Sequence, residues 1–343
     1  MRRTVIAPLL VAALGLAQAQ APHAAGGALS LEAAMALAAD AAVGVRSARL
    51  ELAAAERDRT RVAADPTSLR IARLQAEHAV ARATTALAGA TAGAEDATAR
   101  AYTDALEADD RLGLAEAALA IAAIVREATG IQLEAGAATR LDVERSVNDL
   151  RAAERDVEDA RAARALAYDR LASLLGLPGE GLRLARTAPP AGVPPLERSI
   201  AESEANALLQ AALQQAELAA AQLAAVDNPL TSAPTDVAAA RDRVETAQLQ
   251  VDEQRRNLVL IVRQAHNAAL AAGARVRSVE AATATTRDDL GVQRLRFETG
   301  SISALSLARS ELQLLQQEAQ LAAARHALAA ALRQLHLAAM GAR

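Results

Sequence analysis

The stretch Glu134-Ala135-Gly136-Ala137-Ala138-Thr139-Arg140-Leu141 decides the reading of this chain, because it returns 164 positions later as Glu298-Thr299-Gly300-Ser301-Ile302-Ser303-Ala304-Leu305. A glycine followed three residues on by Thr or Ser, set between Ala/Leu-rich runs, stops one helix and starts the next. At the same offset Leu141 meets Leu305, Arg145 meets Arg309, Ser146 meets Ser310, Leu150 meets Leu314, Glu154 meets Glu318, Arg161 meets Arg325 and Leu171 meets Leu335. Breaks recur as well: Pro66 precedes Gly136 by 70 positions and Pro229 precedes Gly300 by 71. This pattern reads as a duplicated three-helix unit.

Working outward, the breaks divide the chain into six expected helices, at about 30–63, 69–134, 138–176, 196–226, 235–298 and 302–340. Two of them are far longer than the usual 8–20 residues; 69–134 spans on the order of 100 Å. Gly89, Gly93, Gly113 and Gly273 are the candidate bend points. Leu307, Leu314, Leu321, Leu328 and Leu335 recur every seven residues, with Ser310, Gln317, Ala324, Ala331 and Ala338 beside them. The matching seam in the first unit is Val143, Leu150, Val157, Arg164 and Leu171. Large residues beside small ones at that period are a coiled-coil signature. The expected fold is all-α: two tandem three-helix repeats forming long antiparallel hairpins. The expected organisation is a signal peptide at 1–19, a first repeat at 30–181, a Pro-rich linker at 182–195 and a second repeat at 196–343.

Composition agrees. Of 343 residues, 52% are hydrophobic but only 1% aromatic, with no Trp and one Phe, so the apolar content is chiefly Ala and Leu. These favour helices and thin, close-packed layers over a thick core. Net charge is −4, every basic residue is Arg, and no basic patch points to nucleic acid. The absence of Cys excludes disulfides, thiol catalysis and a lipid-bearing N-terminal cysteine. Met1-Arg2-Arg3, the apolar run Thr4 to Ala17 and Ala17-Gln18-Ala19 read as an export signal with its cleavage site. No later segment has the 18 uninterrupted apolar residues of a membrane span.

Chemistry-bearing patterns are lacking. His23, His78, His266, His326 and His336 form no ligand spacing, and Asp109-Asp110 and Asp288-Asp289 are adjacent and so point to different helix faces. No phosphate loop or nucleophile elbow occurs. The expectation is a non-enzyme without cofactor or metal.

Ile131 through Val143 resembles the turn after the long helix in the TolC-type outer-membrane efflux family, as does Arg296 through Leu307. Ala167-Tyr168-Asp169-Arg170-Leu171-Ala172-Ser173-Leu174-Leu175-Gly176 is similar to that family's closing Tyr…Leu-Leu-Gly stretch, and the duplication about a Pro-rich middle matches too. The resemblance implies a homotrimer enclosing a helical tunnel, sited in the outer membrane or periplasm and partnered by a periplasmic adaptor and an inner-membrane pump. It implies adaptor-docking turns at Gly136, Thr139, Leu141, Asp142, Gly300, Ser303, Leu305 and Ser306, with Asp142 narrowing the entrance. The family also carries a hairpin of membrane strands between the first and second helices of each unit. Here those positions hold only Asp65-Pro66-Thr67-Ser68 and Asp227 to Pro234, whereas one membrane strand takes about 9–11 residues. Either the chain is a barrel-less relative or a partner attaches it to the membrane. A periplasmic coiled-coil scaffold or spacer without transport is the alternative, and a duplicated relative that has lost export function is a third reading.

Overall fold

The computed structural model describes residues 28–178, 181–188, 190, 192–227 and 233–341; the expected signal peptide and His23 lie outside them. Among the described residues the structure is all-α, with one isolated parallel bridge, Leu29 to Leu184. The helices are α1 Leu31–Ala41, α2 Val43–Ala64, α3 Arg70–Glu134, α4 Arg140–Leu175, α5 Leu196–Glu202, α6 Ala207–Val226, α7 Pro234–Glu298 and α8 Ala304–Met340, with a 3-10 turn at Ser203–Ala205 before α6. No helix among them is long and apolar enough to cross a membrane.

The long helices and both glycine turns fall where the sequence puts them. α3 and α7 each run for 65 residues, and α3 stays helical through Gly89, Gly93 and Gly113. The bounds of α3 and α7 are displaced by 164 positions at both ends, as are the first residues of α4 and α8.

Two expected helices are corrected. The run 30–63 breaks at Ala42, which adopts φ −61° and ψ 126° between α1 and α2. The run 196–226 breaks at Asn206, whose side chain caps α6 by accepting the Leu208 N–H at 3.0 Å. Helix propensity loses to packing at Ala42: α1 is held against the inner parts of α3 and α4 through Ala34, Ala38, Tyr102, Leu171 and Leu175, while α2 lies along the outer part of α3.

Two antiparallel hairpins, α3–α4 and α7–α8, form the long dimension. The register of the second is written in ion pairs. Arg325–Glu280 (2.8 Å), Arg287–Glu318 (2.7 Å) and Arg294–Glu311 (3.2 Å) are spaced seven residues apart on both arms. The hairpins meet where α3 packs antiparallel to α8, so both glycine turns lie at one end. At the other end α2 and α6 fold back on α3 and α7, and α2 passes into α3 through Asp65–Leu69. That turn is tied by Asp65, which accepts from the Thr67 N–H (2.8 Å) and hydroxyl (2.7 Å).

The linker is packed rather than free. Leu29 N–H donates to Arg183 O (2.7 Å) and Ala185 N–H to Leu29 O (2.9 Å), laying one part along the first unit. Val193 reaches the second, where it packs with Val276, Ala324 and Leu328.

Candidate functional site

The candidate site is the pair of helical tips. At the first, α3 ends in a Schellman motif: Gly136 N–H donates to Leu133 O (3.0 Å) and Ala137 N–H to Gln132 O (2.8 Å). At the second, Gly300 N–H donates to Phe297 O (2.9 Å) and Ser301 N–H to Arg296 O (2.7 Å). Both glycines sit at φ 73°, a left-handed conformation that side chains resist.

The next helices are capped differently. Thr139 and Asp142 form a capping box: the Asp142 N–H donates to the Thr139 hydroxyl oxygen (3.2 Å), while the Asp142 carboxylate accepts from the Thr139 N–H (2.9 Å) and hydroxyl (2.6 Å). The Thr139 hydroxyl, its backbone N–H and Arg145 together hold the Asp142 carboxyl below its usual range. Asp142 is therefore an ionised group oriented by its own helix start. At the counterpart, Ser303 accepts from the Ser306 N–H (3.2 Å), and the two hydroxyls lie 3.0 Å apart with no acid present.

Leu141, 53% exposed, and Leu305, half-buried, begin the ascending helices. Ile131 and Leu295, at matching positions, are 62% and 61% exposed. Thus the residues singled out in the sequence gather into two similar knobs of apolar side chains around a glycine turn. Arg145 reaches Asp142 at 3.9 Å, within its own helix.

Other organising residues escaped sequence reasoning. Tyr102, fully buried, places its hydroxyl 2.7 Å from Leu29 O and 2.6 Å from Ala185 O. Exactly 164 positions on stands His266, whose Nε2 donates to Pro194 O at 2.9 Å. Each long helix thus clasps the segment entering its unit. Asp109 accepts from Arg164 (2.5 Å) and from the Tyr168 hydroxyl (2.6 Å), and Arg164 lies over the Tyr168 ring. Burial first, then Asp109, pushes the Tyr168 hydroxyl up to about 12. Between the halves, Asp96 accepts from Arg333 (3.1 Å) and Gln334 (3.3 Å), His326 meets Glu107 (3.4 Å), and His78 meets Glu217 (3.0 Å). The signal available was rarity: Tyr102 and Tyr168 are two of three aromatic residues in the chain.

Solved structures similar to this chain include CusC, for which conformational changes accompanying folding and transmembrane channel formation are described: TM-score 0.65, 16% identity, 91% of this chain and 96% of that one. The fold is TolC-type. Further TolC-type likenesses are the Vibrio cholerae outer membrane protein VceC (TM-score 0.62, 15% identity, 91% and 97% covered) and the Campylobacter jejuni CmeC outer membrane channel (0.63, 9%, 91% and 85%). No protein-family model matches the chain, and no curated protein sequence matches it significantly.

Proposed function

We propose that the chain is a TolC-like component of an envelope export or efflux system. Three copies close into a periplasmic helical conduit or collar, and its tips dock an adaptor that links it to an inner-membrane pump. The observation that carries this reading is the pair of matched tips, each presenting apolar side chains around a left-handed glycine at the same end of the bundle. In this reading residues 30–181 and 196–343 are two copies of one unit, which the 164-residue displacement of α3 and α7 supports.

The edges support further copies. α7 packs on α5, α6 and α8 but leaves Leu249 and Leu260 more than half exposed. The exposed surface is 22138 Å², against about 13,000 Å² for a compact monomer of this mass. Burying such edges against identical neighbours is the usual route to a closed ring. Passage would then need no bond-making chemistry, and Asp142 would supply one ordered negative charge per copy at the entrance.

The test is the assembly itself. Mass measurement and negative-stain imaging of the purified chain should give hollow trimers, and Leu141→Asp with Leu305→Asp should abolish adaptor capture while leaving the trimer intact. Monomers or solid rods would refute the conduit. They would favour a periplasmic scaffold or spacer, the reading that the five-residue turn Asp65–Leu69, shorter than one membrane strand, supports.

A further inference from the structure

Away from the tips, the start of α6 and the end of α8 meet against the middle of α7 around a cavity of about 330 Å³. Its floor is apolar: Leu209 and Leu258 are buried, and Ile261 and Leu337 lie beside them half-buried. Its rim is set with carboxamides, Gln254, Asn257 and Gln264 of α7 and Gln334 of α8. Among the described residues no charged side chain lines it, in a chain that is 23% charged. Gln264 stands two residues before His266, the ring that holds Pro194 of the linker, and so about 200° round α7 from it. The carboxamide rim therefore lies on the side of α7 away from that linker contact.

Two independent features match an uncharged occupant. The first is the local field. A helix start carries partial positive charge and a helix end partial negative charge. Here α6 starts where α8 ends, and Asn206 joins them: its Oδ1 accepts the Leu208 N–H at 3.0 Å, and its Nδ2 donates to Ala338 O and Ala339 O, both at 3.2 Å. The two ends offset each other, so the cavity favours neither sign of charge. The second feature is the internal comparison that the duplication provides. The 164-residue displacement carries Gln254, Asn257, Gln264 and Gln334 onto Ala90, Gly93, Arg100 and Arg170, and Ile261 onto Ala97. The repeated helix packing therefore needs no carboxamide at these places, yet the second unit gathers four. Along α7 the lining runs from Gln254 to Ala265, about 16 Å, and along α8 from Gln334 to Gly341, about 10 Å. Those lengths suit a small molecule and are too short to seat a long partner helix.

We infer that this cavity binds an uncharged amphipathic small molecule, its apolar body against Leu209, Leu258, Ile261 and Leu337 and its hydrogen-bonding edge toward the carboxamides. Each carboxamide offers both a donor and an acceptor, so the rim serves either polarity of hydrogen bond. An ion entering the cavity would lose water without gaining a partner of opposite charge. Cavities of a few hundred Å³ with an apolar lining and a small set of polar groups are the usual form of small-molecule sites. The site lies within one chain and does not depend on the conduit reading.

Phenylnaphthylamine and its sulfonated counterpart, anilinonaphthalene sulfonate, share one body and differ in charge, and the chain has no Trp to interfere with their fluorescence. Titration of the full purified chain should show saturable binding of the uncharged dye, with the sulfonate bound roughly tenfold more weakly. Ile261→Phe, which fills the cavity from its floor, should weaken binding of the uncharged dye by a similar factor. Ala97→Phe, the same replacement at the matched position of the first unit, should leave it unchanged. Gln264→Arg, at an exposed position, sets here the charge that Arg100 carries in the first unit and should turn the preference toward the sulfonate. Circular dichroism reads the fold of each variant, and if Ile261→Phe does not fold, Gln264→Arg decides. No saturable binding, equal affinity for the two dyes, or an unchanged preference in Gln264→Arg would overturn the inference. Equal effects of Ile261→Phe and Ala97→Phe would do so too.

Discussion

Replacing Tyr102 by Phe should destabilise the first unit by an amount the geometry bounds. The hydroxyl lies within hydrogen-bond distance of two carbonyl oxygens, Leu29 O at 2.7 Å and Ala185 O at 2.6 Å, but it has one proton and so donates to one at a time. Leu29 O keeps a second partner, the Ala185 N–H at 2.9 Å, when the hydroxyl is gone. Ala185 O is the atom left exposed to loss. The expected cost is one buried hydrogen bond with its acceptor orphaned, about 1–3 kcal/mol, or a fall in melting temperature of roughly 2–6 °C. The ring stays, so no cavity term of the kind produced by Tyr102→Ala, about 3–5 kcal/mol, enters. Urea unfolding read by circular dichroism gives the total. Exchange at the Leu29 and Ala185 amides locates it, since both bond across the bridge that the hydroxyl secures. Melting indistinguishable from the parent, or a loss with both amides still fully protected, would refute the assignment of Tyr102 as the clasp.

Gly300→Ala meets open space but forces a side chain into φ 73°, so it should cost about 1–2 kcal/mol by thermal melting. Gly341→Ala should cost more, because its Cβ would stand 2.7 Å from the Asn206 side chain in addition to the strain at φ 74°. Asp142 is held below its ordinary value of 3.8, so its contribution is present above that value and is lost as pH falls through the lowered one. Exchange protection at the first tip should therefore drop in acid, while the Ser303–Ser306 tip, with no titrating cap, does not follow, and Asp142→Asn should abolish the difference. Asp109→Ala removes the acceptor of both Arg164 and Tyr168; the Tyr168 ultraviolet titration should fall from about 12 toward that of ordinary tyrosine.

The glycine turns and long helices were legible because their chemistry is local. Gly136 with Thr139, and Gly300 with Ser303, name their own conformations, and an Ala/Leu run without Pro has little alternative to helix. The break at Ala42 was not legible from propensity, since alanine is the best helix former and the break comes from packing against distant residues. It was available indirectly: Asn206 is a good cap residue, and the 164-residue displacement carries it onto Ala42. The tip residues of the candidate site were readable for the same local reason. The Tyr102 and His266 clasps were not, because their partners are backbone carbonyls, which leave no trace in sequence.

The cross-half polar pairs have a role that the apolar pattern cannot perform. Within a hairpin the short turn fixes register. Between α3 and α8 no turn does so. The leucines that recur every seven residues in α8, Leu328 and Leu335 among them, pack toward α7 and so do not set the level of α8 against α3. Even the Arg–Glu ladder of the second hairpin repeats with that period and cannot by itself distinguish one setting from the next. Asp96 with Arg333 and Gln334, and Glu107 with His326, do not recur after seven residues. Slipping the helices would take Arg333 and Gln334 away from the nearly buried Asp96 carboxylate and leave it only Arg100 of its own helix, at 2.6 Å, as a partner. A coiled-coil seam rich in alanine and leucine provides attraction without register; the few singular polar contacts supply it, and with it the level at which the two tips stand.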